Sequence, residues 1–155
     1  MQRLVQDLAG FYGVDQSRLA VAVRAEKLLI DIGKAIPLGL VVNELITNTF
    51  KHAFPGERSG RVEIELEHAG AAARNNSSST DAVAQLTIRD NGIGLPAELK
   101  LDATPSLGLH LVHVLAKQLN AELNIAGHEG TTVVVKFPVS IGVAGSQEHG
   151  PNSYR

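Results

Sequence analysis

Cysteine is absent from these 155 residues, which excludes disulfides and thiolate chemistry. No apolar run reaches the roughly 18 residues that a membrane span needs. The first residues lack the basic and apolar pattern of a secretory leader. Formal net charge is −2, so no basic surface advertises nucleic-acid binding. Six histidines occur, but none falls in an HExxH spacing, and a zinc site is not expected. What is present suffices for a core, since 44% of the residues are hydrophobic. The length suits one domain. The expectation is a soluble, cytoplasm-facing domain with no nucleic-acid partner and no membrane contact.

Periodicity divides the chain. Leu4, Val5, Leu8 and Phe11 recur at helical spacing between Met1 and about Tyr12. Leu19, Val21 and Val23 alternate, as do Leu28 and Ile30, which predicts two strands. Asp31 and Gly33 break that pattern before a helix over about 35–53, with Pro37 in its first turn. Residues 61–67 alternate strictly: Val62, Ile64 and Leu66 face a core, and three glutamates face water. Residues 69–82 are rich in Ala, Asn and Ser and read as a flexible connection. Further strands are predicted over 84–90, 122–126 and 131–138, with a helix over 107–119. Residues 141–155 read as a disordered tail. More strands than one helix pair can cover on two faces imply an α/β two-layer sandwich, a mixed and mostly antiparallel sheet with helices on one face.

Four segments carry candidate chemistry. In Asn43–His52, Glu44, Thr47, Asn48 and Lys51 share one helical face, while Leu38, Val42, Leu45, Ile46 and Thr49 share the other. An acid, an amide and a lysine on one face suit a metal-bound polyphosphate: hard oxygens hold Mg²⁺ and an ammonium neutralises phosphate. The same pattern fits an amphipathic helix with a solvated polar face. Asp90-Asn91-Gly92-Ile93-Gly94 ends a strand. Its carboxylate could accept a hydrogen bond from an exocyclic amine, and its glycines permit positive φ and close backbone approach. It also fits an Asn-Gly turn closing a strand. Ser106-Leu107-Gly108-Leu109 opens a helix whose first N–H groups attract phosphate. Gly130-Thr131-Thr132 starts a strand with hydroxyls.

In this order the four segments resemble the N, G1 and G2 boxes and the final Gly-Thr strand of the histidine kinase ATP-binding domain. Gyrase, mismatch-repair and heat-shock chaperone ATPases share that fold. The likeness spans roughly residues 1–138, and is greatest to the subfamily whose N box reads like Ile36–Leu45 and ends Lys51-His52-Ala53-Phe54-Pro55. The resemblance implies an ATP site between the helices and a short lid over 97–105. It implies Asn48 as Mg²⁺ ligand, Glu44 assisting through water, and Lys51 on phosphate with His52 beside it. It further implies Asp90 on the adenine amine, Gly92 and Gly94 shaping the base pocket, Gly108 and Leu109 lining the phosphate channel, and Thr131 closing the adenine side. His52 also fits a surface histidine at a helix end, and Thr131 a plain strand start.

Thr104 and Ser106 stand where many such kinases have glycine, which implies a stiffer lid. The absence of tryptophan separates the chain from the sister subfamily marked by a Trp-x-Glu motif. No helix carries a fitting acceptor histidine: His68, His128 and His149 fall in loops or tail, and His110 and His113 lie too near the nucleotide. The expected division is therefore 1–14 as the end of a helical linker or phosphoacceptor region, 15–140 as the catalytic domain, and 141–155 as tail. The expected function is γ-phosphoryl transfer from ATP to a histidine on separate dimerisation helices of the same kinase, for relay to a response regulator. A protein-serine kinase of the anti-sigma type, or a non-catalytic nucleotide-binding module, are the alternatives.

Overall fold

The structure, a computed structural model, describes residues 1–15, 17–56, 58–69, 81–95, 107–127 and 129–140. The lid over 97–105, with Thr104 and Ser106, lies outside them. So do nearly all of the 69–82 connection, His128 and the tail with His149.

Strict alternation makes the sheet. In β2 (Gly60–His68), Val62, Ile64 and Leu66 are buried. On the opposite face Glu63 pairs with Arg61 at 3.3 Å, and Glu65 pairs with Arg24 of β1 (Leu19–Ala25) at 2.9 Å. The three glutamates thus belong to a polar face, as their alternation predicts. β3 (Asp81–Asp90), β4 (Glu122–Gly127) and β5 (Thr131–Ser140) complete five strands in the order β1-β2-β3-β5-β4. β1 runs parallel to β2, and every other pair is antiparallel. β3 starts three residues before the predicted 84, so its first residues belong to the sheet rather than to the connection.

Three helices cover the apolar face. α1 (Gln2–Phe11) buries Val5, α2 (Ile32–Asn48) buries Leu38, Val41, Val42, Leu45 and Ile46, and α3 (Leu107–Gln118) buries Leu109, Val112 and Leu115. These meet Ile64, Leu86, Val135 and Phe137 of the sheet in one core. The two-layer α/β sandwich is the observed architecture.

Two expectations fail locally. Leu28 and Ile30 form no strand. The Glu26 N–H makes a last bond to the Leu66 carbonyl at 2.8 Å, and the chain then leaves the sheet. Leu28 and Ile30 are half-buried against the core while Leu29 is exposed, so their alternation is that of a connection tacked to the core. The second helix starts at Ile32, not near 35. Asp31 ends the preceding pattern as the helix N-cap, and Gly33, the other expected breaker, lies inside the helix. The Asp31 carboxylate accepts from the Gly33 N–H at 2.8 Å and caps the helix. Pro37 is then the sixth helical residue rather than one of the first turn, and the carbonyl that it leaves without an N–H is that of exposed Gly33, open to water.

Candidate functional site

After Asn48 the helix widens into one π-helical turn, Thr49–Ala53. Such turns concentrate at functional sites. Nothing in the sequence signals this one. It carries Lys51 and His52, both exposed, at the rim of a cavity of about 710 Å³ between α2, α3 and the ends of β3 and β5.

The cavity gathers Glu44, Asn48, Lys51, His52, Asp90, Gly94, Gly108, Leu109 and Thr131. Nine of the ten residues singled out from the sequence thus line one space. Gly92 does not line it. Its φ is not positive, and a Cβ there would strike the Ala53 carbonyl, so it serves the close approach of the Asp90 turn to the helix end. The Ile93 N–H donates to that same carbonyl at 2.9 Å. Gly94 does adopt positive φ, +75°, and faces the backbone of Gly130. Leu45 and Thr49, expected on the helix's buried side, are buried and also line the cavity. Buried side and cavity floor are one surface here, because the cavity lies between helix and sheet.

Asp90 is 5% exposed. Its Oδ1 accepts from the Gly92 N–H at 2.9 Å and from the Thr131 N–H at 3.2 Å. The Thr49 hydroxyl lies 3.5 Å from Oδ2. One carboxylate oxygen is therefore held by two backbone donors. The other has a single long contact and capacity left for a ligand. Thr131 thus acts on Asp90 through its backbone, which no reading of its side chain could show. Thr49 escaped sequence reasoning, because it shares the helix face of Leu38, Val42, Leu45 and Ile46. Gly130, read as the start of the final Gly-Thr strand, has a backbone role that the sequence does not show: its φ is +114° and a Cβ there would strike the Asp90 carbonyl. Apolar walls come from Ile88, Ile93, Leu95, Leu107 and Val133, which in sequence look like any core residue.

The start of α3 lies against α2. A Cβ on Gly108 would lie 2.9 Å from Glu44 Oε2, 3.6 Å from Asn48 Nδ2 and 3.8 Å from Asn48 Oδ1. The acid and the amide therefore converge on the first turn of α3. Lys51 Nζ stands 5.3 Å from the ring centroid of Tyr12, a residue that sequence reasoning gave no role. His113 Nδ1 is 2.9 Å from the Leu109 carbonyl, while His110 is exposed. The cavity thus brings together a carboxylate acceptor at the end of β3, hard oxygens at the start of α3, an ammonium at the rim and apolar walls.

Comparison with known proteins supplies the family. Residues 33–141 match the family described as histidine kinase-, DNA gyrase B-, and HSP90-like ATPase. Blue-light-activated histidine kinase 2 of Erythrobacter litoralis is 31% identical over 123 residues, covering 79% of this chain and 33% of the relative. The sensor histidine kinase PdtaS of Mycobacterium tuberculosis is 31% identical over 115 residues, covering 72% of this chain and 21% of the relative. The chain therefore spans about a third or less of the length of these relatives. Among solved structures, the histidine kinase domain of an Erythrobacter litoralis blue-light-activated histidine kinase superposes with a TM-score of 0.74 at 27% identity, over 89% of this chain and 58% of that one. The Acinetobacter baumannii histidine kinase AdeS, at 19% identity and a TM-score of 0.59, shares the fold. The chain belongs to the histidine kinase-, DNA gyrase B- and HSP90-like ATPase family, as an ATP-binding domain of the histidine kinase type.

Proposed function

We propose that this domain binds ATP with Mg²⁺ and donates the γ-phosphoryl group to a histidine on separate dimerisation helices of the same kinase, for relay to a response regulator. The observation that carries the reading is the polarity of the cavity. A buried acceptor, Asp90, lies at the end of β3, and Glu44, Asn48 and Lys51 line the cavity from the second helix and its π-helical turn. Adenine presents an amine donor and triphosphate presents charge, so each part of the ligand finds a matching group.

Asp90 Oδ2 accepts the adenine amine, with Oδ1 fixed by Gly92 and Thr131. Gly92 and Gly94 shape the turn beside the base. Lys51 faces phosphate with His52 beside it, and Gly108 and Leu109 border the phosphate channel. The donor set fits Mg²⁺. Glu44 and Asn48 offer hard oxygens around one point, the place a Cβ on Gly108 would take. Among the described residues no group of three or more His, Asp or Glu could hold a metal. Two protein oxygens suit an ion that arrives with phosphate and water. When bound, the ion neutralises charge on the phosphates. The chain's own part is to position and to exclude water, which is most of phosphoryl-transfer catalysis. We also read 1–14 as the end of the linker from the dimerisation helices, and 15–140 as the catalytic domain.

Gly108→Ala tests the metal end. The new methyl would displace the mobile Glu44 carboxylate, while alanine in the first turn of α3 favours the helix. The expected result is an unchanged or slightly raised melting temperature and a loss of Mg²⁺-dependent ATP affinity of roughly three- to tenfold. Adenosine affinity should not move. Equal losses for ATP and adenosine would place the effect on the pocket as a whole.

The transfer itself is tested with radiolabelled ATP. The chain alone should label negligibly, since the described His68 is paired with Glu26 at 3.0 Å and His113 contacts its own helix. Adding a dimerisation domain from a related kinase should give acid-labile label on that domain, because proximity of donor and acceptor dominates the rate. Acid-stable label on a partner serine would move the chain to the anti-sigma type. Acid-labile label on His110 or His113 would refute an outside acceptor.

A further inference from the structure

Lysine carries its charge on a flexible four-carbon stem, and an exposed lysine samples many rotamers. Lys51 is exposed, and among the described residues no carboxylate pairs with it. Its partner is instead an aromatic face: Nζ lies 5.3 Å from the centroid of Tyr12, within the range of a cation–π contact. That ring has two aromatic neighbours, of which Phe11 is itself exposed and Phe50 reaches the core. Phe11 meets the ring edge-on at 5.2 Å with an interplanar angle of 85°, and Phe50 lies 6.5 Å away. Phe50 is half-buried and packs against the core. A chain of contacts thus runs from the core through Phe50 and Tyr12 to the ammonium at the rim of the cavity.

Tyr12 does not line the cavity. It follows α1, outside the residues 33–141 that match the family. Any effect of the ring on a ligand must therefore pass through Lys51. We propose that Tyr12 is a positioning residue for Lys51, holding its ammonium where the phosphates of a nucleotide will lie. This rests on Lys51 facing phosphate, as read above. The neutral ring, unlike a carboxylate, adds no opposing charge beside the lysine, so the ammonium keeps its attraction for phosphate while losing rotamer freedom in advance. Docking of α1 and affinity for the phosphate end are coupled through this one contact.

The test is titration of the full chain with ATP and with adenosine, alongside melting temperatures. The variants are Tyr12→Phe, Tyr12→Leu, Lys51→Ala and the Tyr12→Leu/Lys51→Ala double. A lost cation–π contact at an exposed site corresponds to about two- to fivefold in affinity. Tyr12→Leu should lose that much for ATP and nothing for adenosine. Tyr12→Phe, which keeps a ring, should bind both as the parent does. In the Lys51→Ala background Tyr12→Leu should cost nothing further. Three results would overturn the proposal: leucine as good as phenylalanine, equal losses for adenosine and ATP, or a loss that persists without Lys51. Lys51→Ala with undiminished ATP affinity would overturn the phosphate-facing reading of Lys51 and this inference together. Weakening by Lys51→Ala beside a neutral Tyr12→Leu would overturn the inference alone.

Discussion

Asp90→Asn is expected to lower ATP affinity by roughly 10- to 100-fold, the range for a hydrogen bond to a charged group. The geometry makes asparagine the sharper variant. Its Oδ1 can still accept from the Gly92 and Thr131 N–H groups, at 2.9 and 3.2 Å in the parent. Its amide nitrogen then replaces Oδ2, and a donor faces the donor amine of adenine. The same change suits a base with a carbonyl in that position, so inosine triphosphate should lose much less than ATP, or gain. Asp90→Ala should lose as much ATP affinity and more stability, because it strands two N–H groups in a buried place at about 1–3 kcal/mol each. Calorimetric titration with both nucleotides, beside thermal unfolding, measures all of this. Undiminished ATP affinity in Asp90→Asn would remove the adenine amine from Asp90.

Asn48→Ala is expected to separate binding from transfer. The amide lies with Glu44 against the start of α3, whereas Asp90 ends β3 and is held by Gly92 and Thr131. A ligand to Mg²⁺ at the start of α3 fixes phosphate geometry, and the base contacts that supply much ground-state affinity stay intact. Phosphotransfer to a supplied dimerisation domain should fall on the order of 100-fold, comparable to loss of one positioned polar group from a transition-state site. ATP affinity should fall less than tenfold. Equal losses in both quantities would make Asn48 a binding residue only.

Much of this was legible in the sequence because period alone carries it. The glutamates of β2 alternate with Val62, Ile64 and Leu66, and nothing but a half-buried strand accommodates that. Glu44, Asn48 and Lys51 fall on one helical face by arithmetic, and they do line one cavity. Long-range and backbone features were not legible. Leu28 and Ile30 alternate like a strand, and only the departure of the chain from the sheet after Glu26 shows otherwise. Asp31 is as good a cap as a breaker, so the start of α2 moved by a turn. The hold of Thr131 on Asp90 uses an N–H that every non-proline residue has. Tyr12 lies 39 positions before Lys51 (51 − 12), and no local pattern joins them. The π-helical turn that carries Lys51 is announced by no residue type within Thr49–Ala53.

Among the described residues the sheet is open at both edges, and its strand lengths are graded. The inner strands β2, β3 and β5 have 9, 10 and 10 residues, while the edges β1 and β4 have 7 and 6. An open edge offers free N–H and C=O groups to any passing strand, and short edges are a known guard against such templating. β1 presents Arg24 and β4 presents Glu122 and Asn124 outward, so strand addition would also bring charged and polar side chains against a second chain. Joining sheet to sheet through either edge would therefore set charged and polar side chains of two copies against each other, which disfavours aggregation through the edges.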